Sequence, residues 1–178
     1  MDIETLVKLT SKAWSLKALA LMHDGVPGRQ APLLAASGAS RTTFVNSLRH
    51  LGELGLLERN PGHGHPLRPE FRLTAQGRAL APIAHRIEAA VPDEPGAAML
   101  RRSWTVPLLA VARRPKQFSQ IKRDLVPITD RALSTALQHL HHQNWIERSV
   151  DVAKHPPRPF YQVVNAGAEI SRAIGLSH

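Results

Sequence analysis

The stretch that decides the fold is "SRTTFVNSLRHLGELGLLER", from Ser40 to Arg59, because the chain carries it a second time. The second copy is "TDRALSTALQHLHHQNWIER", from Thr129 to Arg148. Each copy opens on a hydroxyl residue that suits a helix N-cap, continues with leucines at helical spacing, and closes on an apolar residue followed by Glu-Arg. The repeat predicts the same helix-and-strand unit twice in one chain.

The repeat extends in both directions from this stretch. Trp14 in "SKAWSLKALALM" matches Trp104 in "RRSWTVPLLAVA", and "HPLRPEFRLTAQG" (65–77) matches "HPPRPFYQVVNAG" (155–167). Between the copies, "AAVPDEPGAAM" holds two prolines, a glycine and an acidic pair, which predict that any helix is interrupted there. We therefore predict one domain over 1–90, a linker over 91–98 and a second domain over 99–178.

Each unit has the pattern of a helix-turn-helix followed by a β-hairpin. In the first unit, apolar spacing predicts helix from Leu6 to Met22, a short helix that stops at Gly38, and a helix capped by Ser40. The segments "LGLLERN" and "EFRLT" predict two strands around a turn-rich loop, and a helix follows from Thr74 to Ala89. The fold class is thus mainly α with small β-wings (α+β), as two tandem winged helix-turn-helix domains.

Charge and composition restrict the classes of function. The chain has 178 residues and a net charge of +9, from 23 Lys and Arg against 14 Asp and Glu, spread over both halves. A basic chain favours a polyanionic partner, although a basic surface also serves solubility alone. The absence of cysteine excludes disulfides, thiolate metal sites and cysteine redox switches. Neither a signal peptide nor a membrane span is predicted, so we expect a cytoplasmic protein with no membrane partner.

The helices that begin after Ser40 and at Thr129 are the predicted recognition helices, whose polar faces would lie in the major groove of double-stranded DNA. The predicted readers on the two helices are Arg41, Thr42, Thr43, Asn46, Arg49, Arg131, Ser134, Thr135 and Gln138. The predicted contacts from the wing loops are His65, Arg68, Lys154, His155 and Arg158. Arg suits guanine or phosphate, and Asn or Gln suits adenine. The alternative is that these faces are only solvated.

The second unit resembles the HxlR-type winged helix-turn-helix transcriptional regulators. The resemblance rests on "VPLLAVARRPKQFSQIKRDLVPITDRALSTALQHLHHQNWIER" after Trp104, and on "PPRPFYQVVNAG". The first unit resembles that family more loosely, through Trp14, the helix from Ser40 and "RLTAQG", and it lacks the phenylalanine that Phe118 supplies in the second unit. Family members usually carry one winged helix and pair as dimers, so the resemblance implies a chain that is either a built-in pseudo-dimer or a homodimer.

Two other residue types suggest ligands. The clusters "HLHHQ" (139–143) and "HGH" (63–65) contain histidines, but no carboxylate lies at matching spacing, so we expect no metal and no cofactor. Trp14, Trp104 and Trp145 either pack in the core or line a pocket for a small aromatic effector. No nucleophile motif, phosphate loop or paired carboxylates are present, so we expect no enzyme.

The sequence therefore predicts a DNA-binding transcriptional regulator that uses two winged helix-turn-helix units in one chain, with a response to a ligand as a secondary hypothesis. The alternative is a winged-helix protein that binds small molecules or other proteins and has reduced or no DNA binding. Recognition helices and wings that face one basic side would favour the first function, and recognition helices buried against each other would favour the alternative.

Overall fold

The computed structural model describes residues 1–60, 70–91, 93–151 and 157–175. The first half consists of α1 (Ile3–Thr10), α2 (Ser15–His23), α3 (Gln30–Ser37), α4 (Arg41–Glu53), β1 (Leu57–Asn60), β2 (Glu70–Leu73) and α5 (Ala75–Ala89). The second half consists of α6 (Glu94–Leu100), α7 (Thr105–Val111), β3 (Lys116–Gln117), α8 (Phe118–Asp124), α9 (Asp130–His142), β4 (Ile146–Asp151), β5 (Arg158–Val163) and α10 (Asn165–Ile174). The predicted class of mainly α structure with small β-wings is confirmed.

The two recognition helices, α4 and α9, form as the sequence predicts. Gly38 ends α3 with a positive φ of 70°, which a glycine adopts without strain and which turns the chain toward α4. The inward stripes are buried along both helices, with Phe44 and Leu51 on α4 and with Leu133 and Leu140 on α9. Because these side chains are withdrawn from water, the opposite face of each helix points outward.

The caps of the two recognition helices differ. Thr129 Oγ1 accepts a hydrogen bond from the backbone N–H of Ala132 at 3.2 Å, which satisfies one free donor of the first turn of α9. Ser40 stands at the N-cap of α4, but its hydroxyl lies 2.8 Å from the Thr43 hydroxyl and makes no cap bond to the backbone. Ser40 and Thr129 thus both stand at the predicted N-cap positions, but of the two only Thr129 makes the cap hydrogen bond to the backbone.

Two predicted features are wrong in detail. The first apolar run does not form one helix, because the chain turns between α1 and α2, where the Ser11 hydroxyl bonds the Lys8 carbonyl at 2.8 Å. The second wing is not two-stranded, because β3 pairs with β5. Within the predicted linker, α5 ends before Ala90 and α6 begins at Glu94, with Asp93 at its N-cap and a proline in its first turn, which fits a helix start.

The wings are antiparallel and differ in width. In the first half β1 pairs with β2, and Arg29 adds a single bridge to Glu70. In the second half β4 and β3 flank β5, so the sheet has the order β3-β5-β4. α8 begins at Phe118 directly after β3, with Gln117 of β3 as its N-cap, which ties the helix-turn-helix to its wing.

The two halves pack on each other through two helix pairs. α5 of the first half contacts its equivalent α10 of the second, and α1 contacts α7. Between the halves, the Thr10 hydroxyl donates to the Ser103 carbonyl at 3.1 Å. The buried side chains form one continuous hydrophobic cluster that includes Ile87 and Ile170. The division of the chain at 91–98 stays a prediction, and across it the described residues share one core.

The helices of the described residues are too short or too polar to cross a bilayer, so none is a candidate membrane span.

Candidate nucleic-acid interface

The recognition helices expose every side chain that the sequence assigns to reading DNA. These exposed residues are Arg41, Thr42, Thr43, Asn46 and Arg49 on α4, and Arg131, Ser134, Thr135 and Gln138 on α9. Neither helix is buried against the other, because their outward faces stay open to solvent. The arrangement can therefore present two polar surfaces to a ligand as large as a nucleic acid.

The charges on these faces are available for a partner. Among the described residues, Arg41, Arg49 and Arg131 have no hydrogen bond or ion pair to another side chain. The acidic side chain at the start of α9, Asp130, is paired with Lys122 of α8 at 2.7 Å. This pair reduces the negative charge that Asp130 would otherwise present to a polyanion.

One of the five predicted wing contacts can be located. Arg158 is exposed at the start of β5, opposite Asp151 of β4 in the ladder. His65, Arg68, Lys154 and His155 lie outside the described residues, so their contribution to an interface stays a prediction.

Equivalent cavities lie between the recognition helix and the wing in both halves. The cavity of the first half, about 340 Å³, is bounded by Arg49 of α4 and Arg59 of β1. That of the second, about 270 Å³, is bounded by Gln138 of α9 and Arg148 of β4. Phe118 lines the second cavity, whereas Gln30 lines the first. The phenylalanine that the first unit lacks in sequence thus corresponds to a real difference in shape beside the recognition helix.

Sequence reasoning missed Arg59 and Arg148 as candidate contacts. Both are exposed on the first wing strand, beside the reading face of the preceding helix. The signal was present, because Glu-Arg closes both copies of the repeat although the surrounding surface residues differ. An exposed arginine at this place extends each polar face from the helix onto the wing.

The three tryptophans lie apart. Trp145 is buried in the core at 4% exposure. Trp104 lines a cavity of about 410 Å³ together with Arg131, Thr135 and His139. Trp14 lines another, of about 330 Å³, at the joint between the halves. Core packing thus accounts for Trp145, whereas Trp14 and Trp104 pack partly buried against the core and also line separate cavities.

The joint cavity at Trp14 contains charged side chains from both halves. The Arg101 guanidinium lies over the Trp14 ring, 4.6 Å from its centroid, which is a cation–π distance. Lys17 Nζ lies 3.5 Å from Glu88 Oε2. Burial raises the pKa of the Glu88 carboxyl above its ordinary range, while the nearby charges of Lys17 and Arg101 oppose that shift. Burial at the joint therefore destabilises the ionised form of the Glu88 carboxyl.

Two histidines of the 139–143 cluster have other partners in the fold, and the 63–65 cluster lies outside the described residues. His139 Nδ1 lies 2.9 Å from the Arg102 guanidinium, and His141 Nδ1 lies 3.2 Å from the Ile146 carbonyl. In the described part of the chain, one group of three residues brings metal-ligating atoms together, and it consists of His23, Asp24 and His85. The sequence did not indicate this group because His85 is far along the chain from the other two.

The comparison with protein families matches both halves. The model of the family described as HxlR-like helix-turn-helix matches residues 9–93 and again 99–176. The chain is also 39% identical over 74 residues to an uncharacterized HTH-type transcriptional regulator of Mycobacterium tuberculosis. That match covers 42% of this chain and 46% of the relative, so it spans about half the relative's length.

Among solved structures, the chain is similar to a transcriptional regulator described as MarR family from Porphyromonas gingivalis W83. The superposition covers 47% of this chain and 87% of that one, with 21% sequence identity and a TM-score of 0.42.

Proposed function

Because this chain belongs to the HxlR-like helix-turn-helix family, we propose that it is a DNA-binding transcriptional regulator that uses two winged helix-turn-helix units. The observation that carries the proposal is that all nine readers predicted on α4 and α9 are exposed. Helix-turn-helix proteins place such a face in the major groove, where side chains meet the base edges. We also propose that it acts on cytoplasmic DNA and has no enzymatic activity.

The packing between the halves supports a pseudo-dimer within one chain. In dimeric helix-turn-helix proteins, two recognition helices meet two half-sites. Here α5 contacts α10, and these helices occupy equivalent places in the repeat. We propose that this contact sets the spacing of the two recognition helices on one bipartite DNA site, without a second copy of the chain.

The alternative function, a winged-helix protein with reduced or no DNA binding, is less well supported. It expects the recognition helices to be buried against each other. The readers are instead exposed, and Arg41, Arg49 and Arg131 have no side-chain partner among the described residues.

We test the proposal by selecting bound fragments from a random duplex library with the full chain. A bipartite consensus whose two halves differ is the expected result, because the readers of α4 and α9 differ in sequence. Binding of the selected site is then compared between the wild type and Arg49→Ala with Arg131→Ala, measured by fluorescence anisotropy. Recovery of no consensus, or equal binding by the double variant, would contradict the proposal.

The matched control for this experiment is Arg172→Ala. Arg172 is an exposed arginine on α10, which is not a recognition helix. It removes one positive charge, as Arg49→Ala and Arg131→Ala each do alone. A loss specific to the recognition helices therefore appears when each single variant is compared with Arg172→Ala.

A small aromatic effector is best accommodated at the joint cavity. A planar ring could stack near Trp14, and an anionic substituent could meet Lys17 or Arg101. A ligand there would contact both halves and so alter their packing. Titration of benzoate as a probe should change the DNA affinity of the wild type and not that of Trp14→Leu. Equal responses of the two proteins would remove the joint from consideration.

A further inference from the structure

We propose that His23, Asp24 and His85 form a binding site for one divalent transition-metal ion, with Zn²⁺ as the best fit. The site joins the C-terminal end of α2 to the C-terminal part of α5. It does not depend on the proposed DNA-binding function, because none of its residues belongs to α4, α9 or the wings.

The ligating atoms of the three residues already lie close together. One ligand atom from each residue is within 4.8 Å of the other two. The closest pair is His85 Nδ1 and Asp24 Oδ1, at 2.6 Å. The ring centroids of His23 and His85 are 5.1 Å apart, with the rings tilted by 52°. Three ligand atoms around a tetrahedral Zn²⁺ lie about 3.3 Å apart, given bonds of about 2.0–2.1 Å.

The difference between these distances is within the reach of side-chain rotation. His23 and Asp24 are exposed, and the side chains of His85 and Asp24 are 42% and 43% exposed. Exposed side chains change rotamer freely, and the backbones of α2 and α5 stay fixed by their packing. An ion entering from solvent therefore separates Asp24 from His85 by under an ångström and draws His23 inward, with no change of fold.

The ligand set selects the class of ion. Two imidazole nitrogens and one carboxylate suit Zn²⁺ and its neighbours in the first transition row, whereas Mg²⁺ and Ca²⁺ require oxygen ligands. Three protein ligands leave at least one position for water. Such an open site, with partly exposed ligands, binds an ion reversibly and exchanges it with solution.

The location at the end of α2 favours a cation. His23 is the last residue of α2 and Asp24 is its C-cap. The final carbonyl groups of a helix carry partial negative charge, which attracts positive charge within about one turn. Asp24 adds a full negative charge at the same place. In the absence of an ion, Asp24 and His85 are in direct contact, with Nδ1 of His85 2.6 Å from Oδ1 of Asp24.

The site belongs to one half of the chain alone. When Trp14 is aligned with Trp104, the residues equivalent to His23 and Asp24 are Arg113 and Arg114. Both arginines are exposed, and a cationic side chain does not bind a metal ion. The proposal therefore predicts one ion per chain. A site present in both copies of the repeat would instead bind two.

The experiment uses the full chain without a histidine tag, treated with a chelator and then dialysed against ZnCl₂. Bound zinc is measured by atomic emission, and the melting temperature is measured with and without the ion. One zinc per chain is expected, with a rise in melting temperature of roughly 5–10 °C when free zinc is 100-fold above its dissociation constant. A wild type that binds no zinc, or that binds two, would overturn the proposal.

Two variants test the assignment of ligands. His85→Ala and Asp24→Asn should each weaken zinc binding by at least about tenfold, because even partners outside the ligand set have effects of that size. Asp24→Asn keeps the shape of the side chain, so it decides the question if His85→Ala does not fold. The control is His142→Asn, an exposed histidine of α9 from the "HLHHQ" cluster. If His142→Asn loses zinc while His85→Ala and Asp24→Asn both retain it, the ion binds at α9 and the proposed site is wrong.

Discussion

At the scale of single residues, the buried residues of α4 recur in α9, whereas the exposed residues differ between the two helices. The buried leucines Leu48 and Leu51 recur as Leu137 and Leu140, because each unit packs the same helix against the same wing. The exposed readers do not recur in the same way, since Arg49 of α4 corresponds to Gln138 of α9. Arginine and glutamine prefer different bases, so each half is expected to read its own sequence.

Arg131→Ala should relax base preference in one half-site of the selected DNA. Arg131 is exposed in the first turn of α9, where helix-turn-helix proteins contact base edges. The loss of a bidentate contact to guanine reduces discrimination by about 1–3 kcal/mol, or roughly 5- to 150-fold. The measurement is a repeat of the library selection with the variant. An unchanged consensus would show that Arg131 does not read a base.

Arg158→Ala should instead weaken binding uniformly across sequences. Arg158 is exposed on the wing, where an arginine meets phosphates and carries no base information. The slope of the logarithm of affinity against the logarithm of salt concentration should become shallower by about one. Anisotropy titrations on the selected site and on a scrambled site measure both effects. A change confined to the selected site would reassign Arg158 as a base reader.

The readers could be predicted from sequence because helical periodicity determines which face is exposed once the buried stripe is known. The metal site could not, because His85 reaches His23 and Asp24 only through the packing of α5 on α2. Arg59 and Arg148 were predictable in part. The repeat points to them because they recur in both copies, but their position beside the reading face of each recognition helix is apparent only in the fold.

At the scale of elements, the repeat predicted the helix-turn-helix and hairpin order but not the joints. Strand β3 has two residues, too few for an alternating pattern to indicate a strand, and it forms through pairing with β5. Helix α6 forms although prolines usually interrupt helices, because its proline lies in the first turn, where no backbone donor is needed. Local signals therefore failed where tertiary pairing or position within a helix decided the outcome.

The two N-caps should respond differently to truncation. Thr129→Ala removes the hydrogen bond to the backbone of Ala132 and should destabilise the chain by about 1 kcal/mol. Ser40→Ala should have a smaller effect, because the Ser40 hydroxyl bonds another side chain. Urea unfolding of both variants measures the difference. If Ser40→Ala costs as much as Thr129→Ala, then Ser40 caps α4 in solution.

The repeated glycines hold the last helix of each unit against its wing. A Cβ at Gly77 would collide with the carbonyl oxygen of Leu56, and a Cβ at Gly167 would collide with that of Trp145. Gly167→Ala should therefore destabilise the chain by about 1–3 kcal/mol, the usual range for overpacking a core. Gly52→Ala is the control, because a Cβ there meets only an ordinary contact. Equal melting temperatures for Gly167→Ala and the control would contradict this packing.

At the scale of the whole molecule, the joint between the halves should make stability depend on pH. Burial raises the pKa of Glu88 above its ordinary value of 4.5, against the opposing charges of Lys17 and Arg101. Between that value and the raised one, the folded chain keeps a proton that the unfolded chain has released. The free energy of unfolding, relative to Glu88→Gln, should therefore fall as pH rises through this window and then stay level.

Urea unfolding of the wild type and Glu88→Gln, measured across this pH range, tests the prediction. Glu147→Gln is the control, since Glu147 is an exposed carboxylate far from the joint in sequence, and the substitution removes the same charge. A constant difference between the wild type and Glu88→Gln at all pH values would show that the Glu88 carboxyl stays in contact with water.

A symmetric dimer is encoded by one sequence, so every substitution in it appears twice. In this chain α5 and its counterpart α10 are encoded separately, as are α4 and α9. A substitution therefore alters one half and leaves the other as a functioning reference. One half can acquire a new preference, or a feature such as the His23–Asp24–His85 group, without any change in the other half. The contact between α5 and α10 thus holds the two units together as in a dimer, while the sequence of each unit can change independently of the other.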